Sequence, residues 1–335
     1  MLTIIKDPAP GEIPARVNDF LQSLPGPVAI ELSGRDSSRS RVLVTLSHGN
    51  EPSGLGAVHR WLREGRQPET DVAVVMGAVE AAMAEPLFFH RQLPATRDLN
   101  RCFNPPYKDK QGEIARAMLA YIRGRAPEAV IDMHNTSGSS AAFAVCIGDA
   151  LPHQALVSHF AERMVVTDLR LGSLMEQDVG CPVVTIECGG ARDEASDVIA
   201  YDGLEKFFTT PDLYKDPRPV SLFRHPLRLE LSPHSRIEYA ERPLHDRDVT
   251  VRQDIERFNF VPLGATDMLG WVDQEGLAHL RIGSDYQPHE VDEFFRIRDG
   301  ILFPQCGMRL FMATTRPDIA ASDCLFYFVC DADGR

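Results

Sequence analysis

The string His48-Gly49-Asn50-Glu51 sets an imidazole and a carboxylate three residues apart, where an apolar run ends and a helical pattern begins. Both groups can face one divalent cation. Zinc accepts imidazole nitrogen at about 2.0 to 2.1 Å and carboxylate oxygen at about 2.0 to 2.2 Å. Two ligands do not hold a catalytic zinc, and a third comes from Val130-Ile131-Asp132-Met133-His134-Asn135-Thr136. This apolar strand delivers His134 at its C-terminal end, where open α/β sheets place their ligands. Period two puts Asp132 on the face of His134. There it can orient a ligating imidazole as a hydrogen-bond acceptor, that of His48 being the one expected.

A third stretch, Val183-Val184-Thr185-Ile186-Glu187-Cys188-Gly189-Gly190, ends a β-branched run on a carboxylate. Burying Glu187 is costly unless something pairs with it, which marks it for function. The bland alternatives are a strand-to-helix connection capped by Ser53, a satisfied core histidine at 134, and an ion pair between Glu187 and a helix-borne arginine. Between these stretches lies a polar loop with Arg91, Arg97, Asn100 and Arg101. A guanidinium grips a carboxylate bidentately and steadies a developing oxyanion, so arginines beside a zinc have a natural task.

The elements that must position these groups are legible in the hydrophobic pattern. Strand-like runs at Val28–Leu32, Val42–Leu46, Val72–Met76, Ala129–Met133, Phe143–Ile147 and Val183–Glu187 alternate with helical patterns near 54–64, 112–124, 153–164 and 194–208. Such alternation predicts an α/β domain on a parallel or mixed central sheet. From about Pro211 the texture changes. A charged, Pro-rich segment, 212–219, reads as a linker, and short alternating runs follow at 228–231, 248–251, 281–283 and 325–329. The expected organisation is a hydrolase α/β domain over 1–213 and a smaller, mainly β domain over 214–335 capping the cleft. Tyr286, in the second domain, reads as a core tyrosine or as one leaning into the cleft.

With 335 residues, 44% of them hydrophobic, the chain can bury a sizeable core. A net charge of -13 disfavours nucleic-acid and anionic-membrane partners, and no apolar run is long enough for a membrane span. A small-molecule substrate is expected, with a homo-oligomer left open. Seven cysteines without a C-x-x-C pair, and no leader pattern, read as reduced core residues of a cytoplasmic protein. The absence of G-x-S-x-G disfavours serine hydrolysis, and a nucleotide site lacks its glycine fingerprints.

In this order, HGNEPSG, RDLNR, DMHNT and TIECGG resemble the succinylglutamate desuccinylase and aspartoacylase family, which is related to the zinc carboxypeptidases. Phe258–Pro262 and Ile301–Pro304 resemble pieces of the desuccinylase β domain. The resemblance implies a zinc-carboxypeptidase-like central mixed sheet flanked by helices, with one Zn²⁺ per chain on His48, Glu51 and His134. It implies Glu187 as general base and proton shuttle, and Asn100 and Arg101 as binders of the substrate carboxylate. The family's carbonyl-polarising arginine would fall at Leu93 in this chain, so that role goes to Arg91, with Arg97 its rival near the substrate. Gln177 stands near where aspartoacylases carry an arginine for the second carboxylate. The expected activity is hydrolysis of a small N-acyl amino acid or related amide by metal-activated water. A metallocarboxypeptidase acting on short peptides or peptidoglycan fragments is the alternative, and a non-catalytic zinc-binding protein the second.

Overall fold

The computed structural model describes residues 2–283 and 288–330, so Tyr286 lies outside the described residues. The chain divides into two compact units, Met1–Asn135 with Ala142–Leu222, and Thr136–Ala141 with Phe223–Arg335.

The first unit is organised on strands β1 (Thr3–Lys6), β2 (Val28–Leu32), β3 (Asp36–Thr45), β4 (Thr70–Met76), β5 (Ala129–Thr136), β6 (Phe143–Cys146), β7 (Arg163–Val166), β8 (Val183–Gly190) and β9 (Ser221–Arg224). They form one mixed sheet in the order β1-β2-β4-β3-β5-β8-β6-β7-β9. Its helices are α1 (Val17–Ser23), α2 (Ser53–Glu64), α3 (Val79–Met83), α4 (Lys110–Arg125), α5 (Leu151–Ser158) and α6 (Glu194–Thr209).

Neighbouring residues of the central strands enter different cores, as period two requires. Leu43, Val74 and Ile131 pack with Leu55, Val58 and Trp61 of α2 and Phe207 and Phe208 of α6. Val42, Val44, Val75 and Val130 pack with Ile114, Met118 and Ile122 of α4. A sheet covered on both faces needs strands that are apolar throughout, which is why these runs lack polar alternation. β3 and β5 are parallel neighbours with Val44 opposite Asp132, so the chain leaving β3 emerges beside the end of β5 that carries His134. β8 is the next strand in the sheet.

Two expectations are corrected. The helix foreseen over 153–164 stops at Ser158, and Arg163–Val166 is a strand, with Met164 opposite Ala144 of β6. The Met-Val-Val run satisfies its backbone better between β6 and β9 of the sheet than in another helical turn. Residues 212–219 are not a free linker: Leu213 is buried, the Tyr214 hydroxyl donates to the Glu128 carbonyl at 2.6 Å, and the first unit continues to Leu222. The apolar anchors outweigh the polar texture around them.

The second unit contains β10 (Leu227–Leu231), β11 (Ile237–Ala240), β12 (Val249–Arg252), β13 (Pro262–Leu263), β14 (Gly270–Val272), β15 (Leu280–Gly283), β16 (Phe295–Arg298), β17 (Ile301–Pro304), β18 (Met308–Phe311), β19 (Phe326–Cys330) and the short helix α7 (Pro317–Ser322). The strands form two five-stranded sheets, β13-β18-β19-β10-β15 and β11-β12-β14-β17-β16. Leu229, Val251, Leu310, Phe295, Phe326 and Phe328 fill a core of its own. No helix among the described residues is long and apolar enough to cross a membrane.

Candidate metal centre

Three side chains converge where β3 and β5 end. His48 Nδ1 lies 2.7 Å from Glu51 Oε1, and His134 Nδ1 lies 2.7 Å from Glu51 Oε2. The two Nδ1 atoms are 3.2 Å apart, and all three residues are buried. Two imidazole nitrogens cannot both present a proton across that gap. Their lone pairs and the Glu51 oxygens suit one cation, since ligand atoms around a tetrahedral zinc with bonds of about 2.1 Å stand about 3.4 Å apart. The donor set therefore fits zinc: two neutral nitrogens and one carboxylate, gathered within 4.8 Å of one another.

The outward nitrogens of both rings face carboxylates. His48 Nε2 is 3.1 Å from Asp98 Oδ1, and His134 Nε2 is 2.9 Å from Asp132 Oδ2, the latter without the angle of a formed hydrogen bond. A carboxylate behind a ligating imidazole sets its tautomer and raises its basicity. Asp132 thus stands behind His134 and not behind His48 as expected, because both project from one face of β5. Ser47 Oγ donates to its other oxygen at 3.2 Å. Sequence reasoning missed Asp98. The signal was available in the RDLNR loop, where this aspartate sits between two arginines.

Electrostatics make the cluster a site for positive charge. Burial opposes charge on Glu51, but the adjacent His48 and His134 outweigh it and hold the carboxyl well below the ordinary range. Burial likewise opposes the His134 cation, yet Asp132 and Glu51 raise its pKa well above the usual histidine value. Asp98 is held low despite burial by His48, Arg91 and Arg101.

Glu187 stands near the end of β8, opposite Phe143 of β6, and is buried. Burial pushes its carboxyl up to about 7, with Glu51 adding to the rise and His134, His48 and Arg91 opposing it. Among the described residues its Oε2 has no hydrogen-bond partner, and Glu187 forms no ion pair with a helix-borne arginine there. A buried carboxylate near neutrality, electrostatically linked to the three ligands, is suited to accept and return a proton.

The loop arginines divide. Arg91 donates through Nε and Nη2 to Asp98 Oδ2 at 3.0 and 2.8 Å, and its Nη1 lies 3.6 Å from Glu51 Oε1. It belongs to the site. Arg97 pairs instead with Asp109, with contacts of 2.5 and 2.9 Å, and both side chains are exposed. Asp109 caps α4 through Gly112 N, so this ion pair also braces that helix start. Asn100 is buried and accepts from Leu174 N at 3.2 Å. Arg101 donates to the Asn100 carbonyl at 2.9 Å, and Gln177 hydrogen-bonds Asn104.

Residues 38–202 match the family described as Succinylglutamate desuccinylase/Aspartoacylase catalytic domain. No curated protein matches the chain. Solved structures similar to it include a succinylglutamate desuccinylase from Vibrio parahaemolyticus, at 14% identity over 95% of this chain and 96% of that one with a TM-score of 0.59. A product-bound ectoine utilization protein from Ruegeria pomeroyi aligns at 16% identity, covering 90% and 87%, with a TM-score of 0.56. A mutant of murine aminoacylase 3 aligns at 13% identity, covering 88% and 95%, with a TM-score of 0.52. At such identities the likeness is one of fold.

Proposed function

Residues 38–202 belong to the succinylglutamate desuccinylase/aspartoacylase family of hydrolases, and from that premise we propose a zinc-dependent enzyme that cleaves the amide bond of a small N-acyl amino acid or related carboxylate-bearing amide. The observation that carries this reading is the gathering of His48, Glu51 and His134 at one point, with Glu187 buried, electrostatically linked to them and its Oε2 without a hydrogen-bond partner among the described residues. A similar protein named for ectoine utilization, solved with product bound, supports a small-molecule substrate.

His48, Glu51 and His134 would hold the ion. Zinc in that position supplies a Lewis acid that lowers the pKa of water to about 7 and polarises the amide carbonyl. Glu187 takes the proton of the attacking water on its carboxylate and passes it to the departing amine, so that a carboxylate and a free amine leave. Arg91, clamped by Asp98, faces the developing oxyanion with its remaining donors. Arg101 binds the substrate carboxylate as a guanidinium fork, with the Asn100 amide beside it.

The test is a screen of purified, metal-assayed protein against N-acetyl, N-succinyl and N-formyl amino acids and short peptides, with amine release as the readout. We expect turnover of a small N-acyl compound, and a loss of about 10²- to 10⁴-fold in kcat for Glu187→Gln with zinc retained. Zinc-loaded protein that cleaves none of them, or a Glu187→Gln variant with near wild-type turnover, refutes the assignment.

A further inference from the structure

One side chain that takes no part in this chemistry touches segments adjoining Glu51 and Glu187 and itself follows His134. Asn135 follows His134 in β5 and is buried. Its Oδ1 accepts from the backbone N–H of Ser53 at 3.1 Å, and its Nδ2 donates to Ser53 Oγ at 2.9 Å and to the Gly189 carbonyl at 3.0 Å. Ser53 opens α2 two residues after Glu51, and Gly189 lies two residues after Glu187. From these contacts we infer that Asn135 is a positioning residue: its carboxamide sets the separation between the metal-holding pair, Glu51 and His134, and the proton-accepting Glu187. The inference rests on the function proposed above.

Local chemistry explains why an asparagine stands here. The first amides of a helix have no partner within it, and the residue preceding α2, Pro52, has no side-chain acceptor to offer. Asn135 supplies that acceptor from the adjoining strand. On the other side, Gly189 has φ +112°, a conformation that L side chains rarely adopt. The carbonyl that Nδ2 holds therefore belongs to a residue near the end of β8 whose backbone favours glycine. Aspartate keeps the acceptor and loses the donors, and leucine of similar shape loses all three. Glutamine adds a methylene in a site closed on each side.

Misplacement of a reacting group by about 1 Å costs on the order of 10²-fold in rate, so the tie to β8 acts on turnover while the tie to α2 acts on metal binding. The experiment compares full-length wild type, Asn135→Asp, Asn135→Leu and a remote core control, Trp61→Phe. Zinc Kd is measured on metal-free protein by chelator competition, kcat and KM on zinc-loaded protein, and amide hydrogen exchange of residues 186–190 on metal-free protein. For Asn135→Asp we expect a zinc Kd within about threefold of wild type, faster exchange across 186–190, and a kcat lowered about 10- to 100-fold at nearly constant KM. Asn135→Leu should weaken zinc by about tenfold or more as well. Trp61→Phe should lower Tm without moving Kd, exchange at 186–190 or kcat.

Wild-type exchange and turnover in folded Asn135→Asp overturn the inference. So does a loss of kcat that Trp61→Phe reproduces at equal Tm. If the wild type hydrolyses no amide, the functional reading fails instead, and the zinc and exchange measurements still judge Asn135.

Discussion

Glu187 shows how much of a side chain's chemistry comes from its surroundings. An unperturbed glutamate titrates near 4.3, whereas burial brings this one to about 7 in the metal-free site. A dication beside it pulls in the opposite direction. A general base works in its charged form, so activity is present above its pKa and is lost as pH falls through it. We expect the acidic limb of kcat/KM to have its midpoint between about 4.3 and about 7, and the Glu187 carboxyl of metal-free protein to titrate near the upper end by ¹³C NMR. A rate independent of pH across that interval removes Glu187 from the role. The residue types and their spacing were legible in the chain: His48 and Glu51 follow one apolar run, and His134 and Glu187 end two others. The partners were not. Arg91 and Arg97 look alike in the sequence, yet one meets Asp98 and the other Asp109, a choice made by the path of the loop.

The connection from β3 to α2 holds two of the three candidate metal ligands, and its tightness is backbone against backbone. Leu46 takes φ +50°, and its carbonyl accepts from Ala78 N at 2.6 Å. A Cβ on Gly49 would come within 2.5 Å of Ala82 N, 2.6 Å of Ala81 C and 2.6 Å of His90 O, none of which can swing aside. Gly49→Ala should therefore destabilise by about 1 to 3 kcal/mol and weaken zinc, because the shift falls on the residue next to His48. Gly56, inside α2 with nothing within 4 Å of its missing Cβ, is the counterpart. Gly56→Ala should raise Tm, since alanine is favoured over glycine in a helix by about 0.5 to 1 kcal/mol. Unchanged zinc affinity in Gly49→Ala would mean that this connection does not set the ligand geometry. Period two and helical spacing located the principal elements of the first unit. They failed at 153–164, where a mixed apolar run is ambiguous between helix and strand until its neighbour β6 is known.

Each of the two units buries its own apolar cluster, so calorimetry should resolve two transitions, with zinc raising the one that belongs to Met1–Asn135 and Ala142–Leu222. At a free zinc concentration of 100 Kd the gain is about 2.7 kcal/mol. A shift of both transitions by equal amounts would show instead that the units unfold together. Family and α/β class could be read along the chain, because apolar periodicity and clustered motifs are local properties that survive without a fold. So could the candidate ligand triplet, two of whose members follow β3 and the third of which lies near the end of β5. Four things needed the folded chain: Asp98 behind His48, the pairing of Arg97 with Asp109, the anchoring of Leu213 and Tyr214, and the three contacts of Asn135. Each depends on distances between segments far apart in sequence, which packing sets and spacing does not encode.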